Sequence, residues 1–184
     1  MDENIILGID PGTNIMGYAL IKVQGNKPLL LKMGVAKMTR LKEQSEKLSL
    51  IFDTVSELIK EFHPGILAIE APFLGKNPQS MLKLGRAQGV AIGACLHHQM
   101  QVFEYPPRKI KQAITGNGNA SKEQVSAMLH HMMLIPDDVK YFDATDALAA
   151  AVCHQSQNKL LLNTRKFSGW ESFIANNQDR IVKK

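Results

Sequence analysis

Four carboxylates stand where acids do chemistry rather than merely solvate a surface. Asp10 and Glu70 each close a short apolar run, Ile5 to Asp10 and Ile66 to Glu70, the pattern of a buried strand ending in an acid. Asp143 and Asp146 are three residues apart at the head of a predicted helix, a spacing that lays both on one face. If the two strands are neighbours in a sheet, their ends bring Asp10 and Glu70 together. Such a cluster carries up to four negative charges, which raise one another's pKa unless a cation neutralises them. Oxygen-only ligands suit Mg²⁺ or Mn²⁺, and acid clusters holding two such ions carry out in-line phosphoryl transfer. Hydrolysis of a phosphodiester is the reaction this suggests. Singly, each acid has a plainer role: a turn cap before Pro11-Gly12 for Asp10, a solvated strand end for Glu70, an N-cap for Asp143 and a first-turn acid for Asp146. The case rests on the four together.

An acidic site does not attract an anionic backbone by itself, and the charge distribution supplies what is missing. The chain of 184 residues carries a net charge of +5, and from Lys76 to Lys122 seven basic residues face one acid, Glu104. Lys76, Lys83, Arg86, Arg108, Lys109, Lys111 and Lys122 make that middle third the whole of the positive excess. A polyanion is the expected partner, nucleic acid before an anionic membrane surface. Phe73 follows Glu70 by three residues in a predicted loop. It is either an exposed aromatic that stacks on an unpaired base or a loop anchor packed on the sheet. The pairs His97-His98 and His130-His131 read as surface or core residues, because helix neighbours point about 100° apart and chelate one metal poorly.

The elements that must position these residues follow from periodicity. Ile5–Asp10, Met16–Val23 and Leu29–Thr39 read as strands, the last two joined by a hairpin turn at Gln24-Gly25-Asn26-Lys27. Leu48, Ile51, Phe52, Val55, Leu58, Ile59 and Phe62 form one stripe of an amphipathic helix that His63-Pro64-Gly65 stops. Ile66–Glu70 is the next strand. Asn77-Pro78 opens a helix expected to reach about Met100, with small residues at Gly85, Ala87, Gly89, Ala91, Gly93 and Ala94 suited to close packing on a sheet or a partner helix. Gln101–Tyr105 reads as a fifth strand, Pro107–Thr115 as a short basic helix and Gly116–Ala120 as a flexible loop. A Ser121-x-x-Gln124 capping box starts a helix reaching Leu134, and a last helix runs from about Asp143 to Gln157. Strands first, then strands alternating with helices, predict an α/β fold: a mixed sheet of three antiparallel strands followed by parallel ones, flanked by helices. Residues 1–158 are expected to form one domain. Lys159–Lys184, with six basic residues, two acids and the only tryptophan, reads as a basic appendage, in part disordered.

Composition narrows the class. With 45% hydrophobic residues the chain can bury a core, which excludes disordered and collagen-like readings. Two unpaired cysteines, nine methionines and no leader-like start point to a reducing, cytoplasmic setting, and no apolar stretch approaches a membrane span.

Taken together, Ile6-Leu7-Gly8-Ile9-Asp10-Pro11-Gly12-Thr13, Ala68-Ile69-Glu70, Phe73-Leu74-Gly75-Lys76-Asn77, Leu84-Gly85-Arg86-Ala87-Gln88-Gly89 and Asp143-Ala144-Thr145-Asp146-Ala147-Leu148-Ala149 resemble the RuvC family of bacterial Holliday junction resolvases. The resemblance runs in order from about Ile5 to His154. It implies an RNase H-like fold, a homodimer, and Mg²⁺-dependent nicking of two opposed strands of a four-way DNA junction in recombination and repair. It makes Asp10, Glu70, Asp143 and Asp146 the metal-binding catalytic acids, Phe73 a residue that stacks on a base near the crossover, and Lys111 and Lys122 contacts to phosphate close to the site. It also implies that the helix opening at Asn77 helps form the dimer, and that a RuvA–RuvB branch-migration complex is the protein partner. Gly8-Ile9-Asp10-Pro11-Gly12-Thr13 further resembles the phosphate-binding hairpin of actin-like kinases and chaperone ATPases, but those need two such domains and this length holds one. A catalytically silent junction-binding module would not need all four acids.

Overall fold

The computed structural model describes residues 1–25, 27–72, 77–136 and 141–164, with side chains followed as far as Gln157. Ten elements follow in chain order: β1 (Asp2–Asp10), β2 (Ile15–Gln24), β3 (Lys27–Lys37), α1 (Gln44–Phe62), β4 (Pro64–Glu70), α2 (Pro78–His97), β5 (Gln101–Tyr105), α3 (Pro107–Thr115), α4 (Lys122–Met132) and α5 (Phe142–Thr164). The strands form one sheet in the order β3-β2-β1-β4-β5. β1 pairs antiparallel with β2 and β2 with β3, whereas β1–β4 and β4–β5 are parallel, so the mixed RNase H-like sheet expected from the sequence is present.

Alternation along the strands decides where the site lies. Ile5, Leu7 and Ile9 of β1 and Leu67 and Ile69 of β4 join the core under α1 and α2. Ile6 of β1 with Ile66 and Ala68 of β4 face the opposite core, under α3, α4 and α5. Asp10 and Glu70 share the parity of that second set and so point toward α5. Because Ile9 is the register partner of Ile69, the two acids end adjacent strands side by side.

α5 reaches the sheet through small residues. Its buried run Ala147, Leu148, Ala149, Ala150, Ala151 and Val152 lies on glycines of β1 and β2. A Cβ on Gly8 would lie 2.0 Å from the Ala147 carbonyl oxygen, and one on Gly17 would lie 1.9 Å from that of Asp143. These glycines are needed for close approach, not for turn geometry. Gly8→Ala is therefore expected to lift α5 off the sheet. The cost is about 3 kcal/mol, visible as a fall in melting temperature of roughly 6–12 °C in a circular dichroism melt.

Several boundaries differ from expectation, each for a local reason. β1 starts at Asp2, whose N–H donates to the His63 carbonyl at 2.8 Å, and β4 already begins at Pro64, opposite Asp2. β3 spans Lys27–Lys37, two residues earlier than read, because its pairing with β2 closes directly on the turn, Gln24 opposite Lys27. α2 ends at His97, short of Met100: Gln99 adopts a positive φ of 58° and the chain reverses so that Met100 packs into the core. α4 ends at Met132, leaving Leu134 almost fully exposed outside the helix. α5 continues to Thr164, into the stretch read as an appendage from Lys159, and the chain past Thr164 lies outside the described residues. The small residues of α2 divide by face. Ala87, Ala91 and Ala94 are buried on the sheet, whereas a Cβ on Gly85, Gly89 or Gly93 would meet nothing within 4 Å among the described residues. No described helix is long and apolar enough to cross a membrane.

Candidate active site

Three of the four acids meet at one cavity of about 220 Å³, where Asp10, Glu70 and Asp146 are joined by Lys111 of α3 and Lys122 of α4. β1 and β4 deliver Asp10 and Glu70 from the sheet, and α5 delivers Asp146 from above. Lys122 is the first residue of α4, whose start is fixed by a capping box: Ser121 Oγ accepts from the Gln124 N–H, and Gln124 Oε1 accepts from the Ser121 N–H at 2.9 Å. The cap aims the lysine, and Lys122 Nζ donates to Asp146 Oδ2. Asp143 lies inside the first turn of α5, one turn before Asp146, and its charge acts on Asp10.

The electrostatics of the cavity are those of crowded acids. Burial, then the charges of Glu70 and Asp146, push the Asp10 carboxyl up to about 8, with Lys122 opposing. Glu70 is raised by burial first and by Asp146 second, against the pull of Lys122 and Lys111. For Lys122 burial works downward, but its hydrogen bond to Asp146 and the charges of Asp146, Asp10 and Asp143 outweigh it, and the net shift is upward. Two lysines thus offset the acids only in part. The donors are hard oxygens, which suits a divalent cation such as Mg²⁺ or Mn²⁺. Among the described residues no three acids, histidines or cysteines stand at metal-ligand spacing.

The other residues singled out in the sequence are more dispersed. Lys109 lies 5.3 Å above the Tyr105 ring and Arg108 packs against Gly118 of the following loop, and neither lines the cavity, to which α3 contributes Pro107, Ile110 and Lys111. Arg86 is exposed on α2, a helix that covers the opposite face of the sheet. Phe73 and Lys76 lie outside the described residues.

Sequence reasoning missed a buried polar layer behind the acids. Gln88 of α2 is 4% exposed, and its Nε2 donates to Glu104 Oε2 at 2.7 Å and, at the limit of 3.5 Å, to the Glu70 carbonyl. Tyr105 and His154 meet on the other face at 2.8 Å. A signal was available for both. Gln88 interrupts a small-residue stripe, and His154 ends the otherwise apolar stretch Ala147–Cys153.

A family model described as crossover junction endodeoxyribonuclease RuvC matches residues 6–154. The chain is 51% identical to the protein of that name from Cytophaga hutchinsonii, over 97% of this chain and 88% of the relative. It is 50% identical to that from Porphyromonas gingivalis, over 97% of each. Among solved structures, Thermus thermophilus RuvC in complex with Holliday junction substrate superposes with a TM-score of 0.79 at 29% identity, covering 85% of this chain and 95% of that one. The yeast mitochondrial Holliday junction resolvase Ydc2 shares the fold at a TM-score of 0.64 and 13% identity, over 88% of this chain and 83% of that one.

Proposed function

The chain belongs to the RuvC family of crossover junction endodeoxyribonucleases, and from that premise we propose how its own residues carry out Holliday junction resolution. It is a Holliday junction resolving endonuclease of a metal-dependent family. Asp10, Glu70, Asp143 and Asp146 hold the metal, as two Mg²⁺ or Mn²⁺ ions per site. Divalent ions bound there supply an activated water and stabilisation of the leaving oxygen. The observation that carries the reading is the convergence of Asp10, Glu70 and Asp146 with two lysines in one cavity. Lys111 and Lys122 bring positive charge to the rim of that cavity, where a phosphate oxygen must sit for in-line attack. Lys76, Arg86, Arg108 and Lys109 hold the DNA backbone, and Phe73 stacks on a base at the crossover.

Resolution requires two opposed nicks, hence two active sites, and the outward face of α2 supports a homodimer. Gly85, Gly89 and Gly93 recur every four residues between the exposed Leu82 and Leu96, a stripe that lets a second helix approach closely. Gly89→Arg is expected to yield a folded monomer in analytical ultracentrifugation, since the added side chain meets nothing in its own subunit, with a melting temperature lowered only by the lost association. Its junction nicks lose their pairing. We further propose that the protein works in the cytoplasm with a RuvA–RuvB branch-migration complex, and that 159–184 is an appendage to the nuclease domain 1–158.

A synthetic four-way junction and a sequence-matched linear duplex, each incubated with Mg²⁺ or with EDTA, test the central claim. Symmetric paired nicks in the junction alone, abolished by EDTA, are expected. Equal cutting of the duplex would leave a nuclease without junction choice, and binding without cleavage across Mg²⁺ and Mn²⁺ would remove the enzymatic reading.

A further inference from the structure

Two buried polar side chains lie behind the acids without lining their cavity. Tyr105, the last residue of β5, is 7% exposed, and His154, within α5, is 1% exposed. The Tyr105 hydroxyl lies 2.8 Å from His154 Nδ1, and the Phe103 ring packs on the imidazole with centroids 4.4 Å apart. Burial lowers the imidazole to about 4 and raises the phenol to about 12, so both are neutral through the working pH range. Between two neutral groups one donates and the other accepts, the direction following the imidazole tautomer.

The attachment points of this bond give it reach. Tyr105 is the register partner of Glu70, and its carbonyl accepts the N–H of Ala71 at 2.9 Å. His154 stands eleven residues beyond Asp143, three turns along α5 and back on nearly the same face. One buried hydrogen bond therefore joins the strand pair that carries Glu70 to the helix that carries Asp143 and Asp146. The remaining seat of α5 on the sheet is apolar, its backbone close over Gly8 and Gly17 and its small and aliphatic side chains in one cluster with Ile6, Ile21 and Ile66, a contact that sets height but not direction. A hydrogen bond between fixed rings is directional and holds the helix against sliding.

We propose that Tyr105 and His154 are positioning residues whose hydrogen bond fixes α5 against the β4–β5 edge, and with it the spacing at which Glu70 and Asp146 face each other across the cavity. The proposal rests on the reading of those acids as metal ligands. Mg²⁺ demands near-ideal octahedral oxygen geometry, and any divalent ion shared by these acids depends on their spacing, so a helix shift of a fraction of an ångström is felt first in metal affinity.

The test uses the full chain with Tyr105→Phe, His154→Leu and His154→Asn, the last retaining an amide that can donate or accept near the Nδ1 position. Mn²⁺ is titrated into DNA-free protein and the free ion followed by electron paramagnetic resonance. Junction cleavage is measured against Mg²⁺ concentration, and junction binding is measured in EDTA. Tyr105→Phe and His154→Leu are expected to weaken Mn²⁺ binding roughly tenfold and to raise the Mg²⁺ needed for half-maximal cleavage in parallel, the scale seen when a support behind a metal ligand is removed. Junction binding stays unchanged, and His154→Asn recovers most of the affinity. A folded Tyr105→Phe protein with wild-type Mn²⁺ affinity would overturn the proposal whatever its melting temperature, and that variant decides alone if His154→Leu does not fold. Failure of the metal-site reading itself shows differently, as absence of Mn²⁺ binding in the unsubstituted protein.

Discussion

Asp10→Asn abolishes cleavage, lowering the rate at least ~10³-fold, while the variant still binds the four-way junction and is more stable than the parent without metal. All three parts follow from one location. The carboxylate sits at the end of β1 beside Glu70 and opposite Asp146, where burial and those two charges push it up to about 8. A carboxyl raised in the fold contributes stability that is fully present below its unfolded value, near 3.8, and is lost as pH rises through about 8. The parent therefore gives up stability across that window, at about 1.4 kcal/mol per pH unit for one group. Asparagine is neutral throughout and lacks that slope. Urea unfolding in EDTA at pH 5 and at pH 8.5 checks it: the variant's advantage should be larger at pH 8.5. An equal difference at the two pH values would mean that Asp10 is ionised in the fold without cost. Junction affinity survives because phosphate attraction lies in the lysines and arginines, which the substitution leaves in place.

The site was legible in the sequence to the extent that it depends on strand ends and helix spacing. Asp10 and Glu70 each close an apolar run, so the two acids meet if their strands are neighbours, a condition that the β1–β4 pairing meets. Asp143 and Asp146 are a local spacing that reads onto one helix face, yet of the two only Asp146 lines the cavity. The sequence did not reveal that Lys122 is held on Asp146, because 24 residues separate them and the contact depends on how α4 meets α5. Nor did it distinguish the two faces of α2. Ala87 and Gly89 read alike as small residues, yet one lies in the core and the other faces outward, a matter of helix rotation that small side chains leave undetermined. The Tyr105–His154 bond joins residues 49 apart on a strand and a helix, which no periodicity reports.

Metal affinity itself should depend on pH, with the sign set by Asp10. A carboxyl with a folded value of about 8 is protonated at pH 6, and a proton must leave before its oxygens can bind a cation. Below about pH 8 each unit of falling pH therefore costs up to tenfold in affinity for Mn²⁺ or Mg²⁺, about two decades between pH 8 and pH 6, and above that value the dependence flattens. Glu70, also raised, steepens the slope wherever it titrates in the same range. Lys122 moves the balance the other way, because its ammonium on Asp146 stabilises the ionised acids and thereby lowers the proton cost of metal entry. Calorimetric Mn²⁺ titrations of DNA-free protein at pH 6, 7 and 8, in buffers of differing ionisation enthalpy, measure both the affinity and the protons released. Close to one proton per filled site at pH 7, falling toward zero in Asp10→Asn, is the expected result. Affinity that stays constant from pH 6 to 8 would mean the carboxylates are already ionised in the empty site, with the lysines sufficient to hold them so.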